Sequence, residues 1–230
     1  MSRPGYAYRL REPIGYEDAW DQQRRIADSV ARGALPDTVV LLEHTPVITL
    51  GRRTEEGELH VPADAEVEIV ETDRGGKSTY HGPGQLVCYP IFDLTRHGQG
   101  VKRYCRDLEE ALIRTLAPLG IAATRIEGLT GIWLQPPPRK IASIGIHISK
   151  WVTTHGYALN VDLDPAPFTQ WITACGLEDA AFTTVARELG RPVSVEEVVP
   201  PAVRALEEVF DLELEPLTLE QVAASGAARV

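Results

Sequence analysis

The sequence predicts an α+β fold, a mixed β-sheet flanked by helices. Three observations carry this. Apolar or alternating runs of strand length outnumber the segments with helical period. Strands and helices do not alternate strictly, as they would in a doubly wound sheet. No internal repeat and no linker rich in Gly, Ser or Pro divides the 230 residues. Residues 1–230 are therefore expected to form a single domain, with a core over about 6–212 and a tail from Leu217 that frays.

Taken in order, Tyr6–Arg11 alternates as a strand. Tyr16–Arg32 carries apolar positions at helical spacing and is closed by Gly33. Thr38–Leu42 is a continuous apolar run, a buried strand, and Val47–Leu50 follows as another. Glu66–Glu71 alternates and leads into a glycine-rich stretch, beyond which Leu86–Phe92 is a strand. Gly100–Leu119 is an amphipathic helix with Cys105 on its apolar stripe; Cys88 falls within a strand, and both read as core. Ile121–Ile126 is expected as a strand, and Gly128–Pro138 as a short strand with an irregular loop. Ile141–Ser149 and His155–Asp162 read as strands, the second the antiparallel neighbour of the first. Ala180–Leu189 is expected as a short helix stopped by Gly190. Ser194 and Glu197 form a capping box for a helix toward Phe210, which Pro200-Pro201 should break or kink.

Bulk composition narrows the function. Hydrophobic residues make up 43% and charged residues 24%, ordinary for a globular chain. A net charge of −10 argues against a general binder of nucleic acid or anionic membrane. No apolar run approaches the roughly 18 residues of a membrane span, and the N-terminus lacks the pattern of a signal peptide. Three cysteines at irregular spacing make no disulfide framework. A soluble cytoplasmic protein is the expectation.

The chain is organised around Arg74-Gly75-Gly76-Lys77-Ser78-Thr79-Tyr80-His81-Gly82-Pro83-Gly84-Gln85. Glycines permit close backbone approach to a ligand, and Arg74, Lys77 and the loop N–H groups can hold an anion or a carbonyl oxygen. Gly76-Lys77-Ser78 imitates the end of a phosphate-binding P-loop. That motif requires glycine at position 71, where this chain has Glu71.

Cys175 lies outside any amphipathic pattern and precedes Gly176, which leaves room for backbone N–H groups to face an oxyanion. A thiol needs help to ionise near neutrality, and Lys140, His81 and His155 are the available helpers. The six histidines and three cysteines show no metal-ligand spacing, so no metal is expected, and no G-x-S-x-G elbow is present.

Four segments together resemble the lipoyl(octanoyl) transferase family, within the fold group that also holds lipoate and biotin protein ligases. They are Arg74 to Tyr89, Lys140-Ile141-Ala142-Ser143-Ile144-Gly145, His155-Gly156-Tyr157-Ala158-Leu159-Asn160 and Cys175-Gly176, in matching order and spacing. The resemblance departs at Ala174, where the family usually has proline.

It implies a cofactor-free, ping-pong acyl transfer. Cys175 would accept an octanoyl group from octanoyl-acyl carrier protein as a thioester. A lysine of a lipoyl domain, in a 2-oxoacid dehydrogenase or the glycine cleavage H protein, would then take it as an amide. Lys140 would serve as cationic stabiliser or, neutral, as base. His81 would shape the pocket. The acyl site would be lined by Arg74, Gly75, Gly76, Lys77, Ser78, Thr79, Tyr80 and His81, by Ser143, Ile144 and Gly145, and by Gly156, Tyr157 and Ala158. The glycines would leave open volume, so that a bulkier residue at Gly145 should shorten the accepted chain. Arg52, Arg53, Arg139, Lys140 and Lys150 would ring the mouth and steer acidic partners. The rivals are an ATP-dependent ligase, a non-catalytic carrier-binding module, and a cysteine hydrolase using Cys175 and His155.

Overall fold

A computed structural model describes residues 2–173 and 181–218. Its elements are β1 (Arg3–Arg9), α1 (Tyr16–Ala31), β2 (Asp37–Leu42), β3 (Val47–Leu50), β4 (Glu68–Glu71), β5 (Thr79–His81) and β6 (Gln85–Ile91). After these come α2 (Val101–Leu116), β7 (Thr124–Ile126), β8 (Leu129–Leu134), β9 (Arg139–Ser149), β10 (Val152–Asn160) and α3 (Ala166–Gln170). The chain ends in β11 (Ala181–Phe182), α4 (Val185–Leu189), α5 (Val195–Phe210) and β12 (Leu212–Pro216).

Among the described residues the main sheet runs β12-β1-β2-β6-β10-β9-β8-β7, with β11 beside the start of β9. The pairs of β1 with β12 and β2 are parallel, while those from β2 through β6, β10, β9 and β8 to β7 are antiparallel. This is the expected mixed sheet. A smaller sheet, β4-β3-β5, carries the glycine-rich loop on its edge.

The central strands explain why helices cover both faces. Every residue of β2 and β6 is buried. Because side chains alternate along a strand, Val39, Leu41, Leu86 and Cys88 pack into one core with α2 and α5. Val40, Leu42, Val87 and Tyr89 turn to the other face and pack with Ala19, Ile26 and Val30 of α1. Away from the cleft, the buried Asp37 carboxylate is answered by His97 at 2.7 Å and the Asp93 N–H at 2.9 Å. No helix among the described residues is long and apolar enough to cross a membrane.

Several expectations need correcting. Helix α5 runs unbroken through Pro200 and Pro201. Its N-terminus is held by the Ser194–Glu197 capping box, and Val195, Val198, Leu206 and Phe210 are buried. At about 1.5–3 kcal/mol each, these four burials are large enough to offset the roughly 3 kcal/mol that each interior proline costs. The expected helix at 180–189 is a two-residue strand, β11, followed by α4 from Val185. Thr184, whose side chain accepts from the Arg187 N–H, starts that helix. Ile121 is buried but precedes strand β7, which begins only at Thr124. Strand β12 was not anticipated, although Leu212-Glu213-Leu214-Glu215 alternates.

Candidate active site

The glycine-rich loop is held from inside by Arg74. Its Nε donates to Thr49 Oγ1 at 3.0 Å and its Nη2 to the Thr49 carbonyl at 2.6 Å. Nη1 donates to the Lys77 carbonyl at 2.8 Å, and the Gly75 N–H reaches the Ile146 carbonyl of β9 at 2.9 Å. Arg74 is thus a buried brace of the loop. Lys77 is likewise engaged, with its ammonium hydrogen-bonded to Glu58 and 3.3 Å from Glu55.

Under this loop lies a cleft of about 760 Å³, within the usual range for ligand sites of about 300–1,000 Å³. Among the described residues, every expected site residue but Tyr80 lines it: the loop from Arg74 to His81, then Lys140, Ser143 to Gly145 and Gly156 to Ala158. Tyr80 points away because side chains alternate along β5, and it packs edge-on against Phe168 and Trp171. Cys175 and Gly176, with Ala174, lie outside the described residues. Their flanks are fixed nearby: the Thr173 N–H donates to the Glu58 carbonyl at 2.9 Å, and Ala181-Phe182 pair with Arg139-Lys140.

Gly145 and Gly156 serve contact rather than volume. A Cβ on Gly145 would lie 2.9 Å from the Gly75 carbonyl oxygen. One on Gly156, its partner across β9 and β10, would lie 2.2 Å from the Cys88 carbonyl oxygen. These positions let the loop and β6 approach the hairpin. The space for a ligand is walled instead by Val87, Leu129, Trp133, Ile144, Ile146 and Tyr157.

A polar chain leads back from the cleft. Asn160 Nδ2 donates to the Thr183 carbonyl at 3.1 Å, which turns its Oδ1 toward Gln85 Nε2 at 3.0 Å. Gln85 Oε1 therefore faces His81, whose Nδ1–H donates to it at 2.7 Å. Burial and neighbouring His44 and Arg74 push the His81 pKa well down. His81 is thus a buried, hydrogen-bonded imidazole on the cleft wall, with its pKa well below the ordinary value.

Tyr16, which the sequence did not assign to the site, lines the cleft with His155, and Asp73 and His44 stand behind them. Tyr16, at the start of α1, approaches His155 Nδ1 at 3.2 Å. The other nitrogen of His155 is 2.7 Å from Asp73. Burial pushes the His155 pKa down despite Asp73, and the bond to His155 lowers that of Asp73. His44 sits between the Ile14 carbonyl at 3.0 Å and the Tyr89 hydroxyl at 2.6 Å, and burial pushes its pKa down to about 4. Asp73 is adjacent to the recognised loop in sequence, and Tyr16 is disguised as one apolar helix position. Ser78 Oγ and Trp133 Nε1 are buried and have no hydrogen-bond partner among the described residues.

Of the expected ring of cations, Arg52 and Arg53 are exposed at the cleft. Arg139 is instead paired with Glu188 at 2.9 Å. Lys140 lines the interior and is only 4% exposed, and Lys150 occupies the turn between β9 and β10. Cys88 is core as expected, its thiol pushed up to about 12 by burial. Cys105 is half-buried and borders the cleft.

The fold is that of the catalytic domain of lipoate ligases. A bi-partite lipoate protein ligase from Thermoplasma acidophilum superposes with a TM-score of 0.76 at 16% identity, covering 97% of this chain and 91% of that one. The chain belongs to the lipoyl protein ligase A/B catalytic domain family, whose family model matches residues 15–207, and within it to the octanoyltransferases. An octanoyltransferase of Chloroflexus aurantiacus is 47% identical over 205 residues, 87% of this chain and 92% of that protein. One of Mycobacterium ulcerans is 46% identical over 207 residues, covering 86% and 85%.

Proposed function

We propose that this chain, acting as one cytoplasmic domain, transfers octanoyl groups through a thioester on Cys175. The Cys175 sulfur attacks the thioester carbonyl of octanoyl-acyl carrier protein. A C–S bond forms to Cys175, the C–S bond to the carrier breaks, and the Cys175 proton leaves on the carrier thiol. A lysine amine of a lipoyl domain then attacks the new thioester. The amide C–N bond forms, the C–S bond to Cys175 breaks, and the amine's surplus proton returns to sulfur. The acceptors are lipoyl domains of 2-oxoacid dehydrogenases and the glycine cleavage H protein. No cofactor enters either step.

Lys140 is the partner of Cys175 in this scheme. Its charge favours the thiolate, and the pair shares one proton as a unit. Ser78 and Trp133 offer donors at the cleft wall, and the apolar wall suits an alkyl chain. The observation that carries the reading is the meeting of Lys140 with the Arg74–His81 loop in one cleft. In sequence Cys175 lies six residues before strand β11, which pairs with Arg139 and Lys140 at the start of β9.

The test is turnover with octanoyl-acyl carrier protein and a lipoyl domain, without ATP. Octanoyl-lysine on the acceptor is expected. Modification only with ATP and free octanoate would favour the ligase. Release of octanoate would favour a hydrolase, and stoichiometric binding without turnover a carrier-binding module.

A further inference from the structure

We infer that Gly131 and Trp133 of β8 form a seat that fixes where the Lys140 ammonium points, which makes both of them positioning residues for acyl transfer. The inference rests on the reading of Lys140 as the cation of the reacting pair.

Three observations converge. The first is the space beside Gly131. A Cβ built there would lie 2.8 Å from Lys140 Cε and 3.3 Å from Nζ. Gly131 also has φ +105°, a conformation that side chains disfavour. The lysine stem occupies the volume that any other residue would fill.

The second is the aromatic wall. Trp133 is 2% exposed, and its ring centroid lies 5.3 Å from Lys140 Nζ. That is within the reach of a cation–π contact, which strengthens when water is excluded.

The third is the strand register. Ile132 pairs with Ala142, yet Trp133 pairs with Lys140. One step along β8 thus spans two along β9, and Ile141 is the extra residue of a bulge. In an unbroken strand, residues 140 and 143 would face opposite sides. Here Lys140 and Ser143 both line the cleft, while Ile141 and Ala142 enter the core. Re-aiming a side chain beside a site is a recurrent use of bulges.

The geometry makes the seat exacting. A methyl on Gly131 would have to move Lys140 Cε by about 0.6 Å to reach ordinary contact at 3.4 Å. A shift of about 1 Å in a reacting group can cost on the order of 100-fold in rate. The same methyl would meet the Ala142 carbonyl oxygen at 2.5 Å, so Gly131→Ala perturbs β8–β9 pairing as well. Trp133→Leu, which removes the aromatic face but keeps an apolar side chain, is the second variant.

The experiment joins steady-state kinetics to NMR of protein labelled with 13Cε-lysine. The chain has four lysines, Lys77, Lys102, Lys140 and Lys150, so the Lys140 signal is assignable from Lys140→Met. In Gly131→Ala we expect the Lys140 resonance to move while the other three stay. The kcat should fall on the order of 100-fold with KM for the octanoyl donor little changed. Trp133→Leu should move the same resonance and lower kcat several-fold. A Lys140 resonance and a kcat unchanged in Trp133→Leu, and in Gly131→Ala if it folds, would overturn the seat. Full turnover by Lys140→Met would overturn the underlying role of Lys140, a distinct result.

Discussion

Arg74 closes on Thr49 through three hydrogen bonds: Nε to Oγ1 at 3.0 Å, and Nη2 to the carbonyl at 2.6 Å and to Oγ1 at 2.8 Å. A guanidinium that reads as a ligand-binding cation in the sequence is thus a fastener between the loop and β3. Arg74→Lys keeps the charge but cannot reproduce the fork. It should lower unfolding stability by roughly 2–4 kcal/mol, because buried acceptors lose charge-assisted bonds. Urea denaturation checks this, and unchanged stability would refute the brace.

Gly145 leads to a revised expectation. Its neighbour is the Gly75 carbonyl oxygen, 2.9 Å from where a Cβ would stand. Gly145→Ala should therefore push the loop away, costing about 1–3 kcal/mol as overpacking does. Activity should fall in similar proportion for hexanoyl, octanoyl and decanoyl donors. A selective gain for shorter chains would restore the idea that this glycine bounds the acyl pocket.

Stability should depend on pH through the buried histidines. His44 titrates at about 4 in the fold against an ordinary 6.5, so the unfolded chain binds the proton more readily. Stability is then fully present above pH 6.5 and falls as pH drops through about 4, by about 3 kcal/mol for this residue. His81 and His155 act in the same direction. Urea midpoints between pH 7 and 4.5 should decline, and His44→Gln should flatten the slope. A midpoint that rises on acidification would contradict the assignment of these rings as neutral.

Arg52 and Arg53 are exposed at the cleft, and neither has an ion-pair partner among the described residues. Against a net charge of −10, such a local patch would attract an acidic partner domain. Arg52→Glu with Arg53→Glu should lower kcat/KM several-fold at low salt, with the difference shrinking as salt screens it. Stopped-flow or steady-state rates across ionic strength test this. Rates indifferent to both charge and salt would remove the patch from the encounter.

Much of this was legible in the chain. The glycine-rich loop, the β9–β10 hairpin and the capping box at Ser194–Glu197 are local patterns, and local patterns survive folding. What was hidden depends on contacts distant in sequence. Pro200 and Pro201 stay helical because α5 has a core to pack against. Tyr80 belongs to a motif whose neighbours line the cleft, but strand alternation turns it away into a separate buried cluster with Phe168. The bulge at Ile141 arises from pairing with β8, which no spacing within β9 reveals. Tyr16 joins the site from a helix more than fifty residues upstream of the loop, where nothing marks it apart from other apolar positions.

The central claim is the covalent intermediate, and an intact mass spectrum tests it most directly. Protein mixed with octanoyl-acyl carrier protein alone, without ATP, should gain one octanoyl group. Hydroxylamine should remove it, a lipoyl domain should discharge it, and Cys175→Ser should never form a thioester. Cys88 offers no substitute, being fully buried with its thiol pushed up to about 12. An adduct that maps to another residue, or acceptor octanoylation at full rate by Cys175→Ser, would contradict the account.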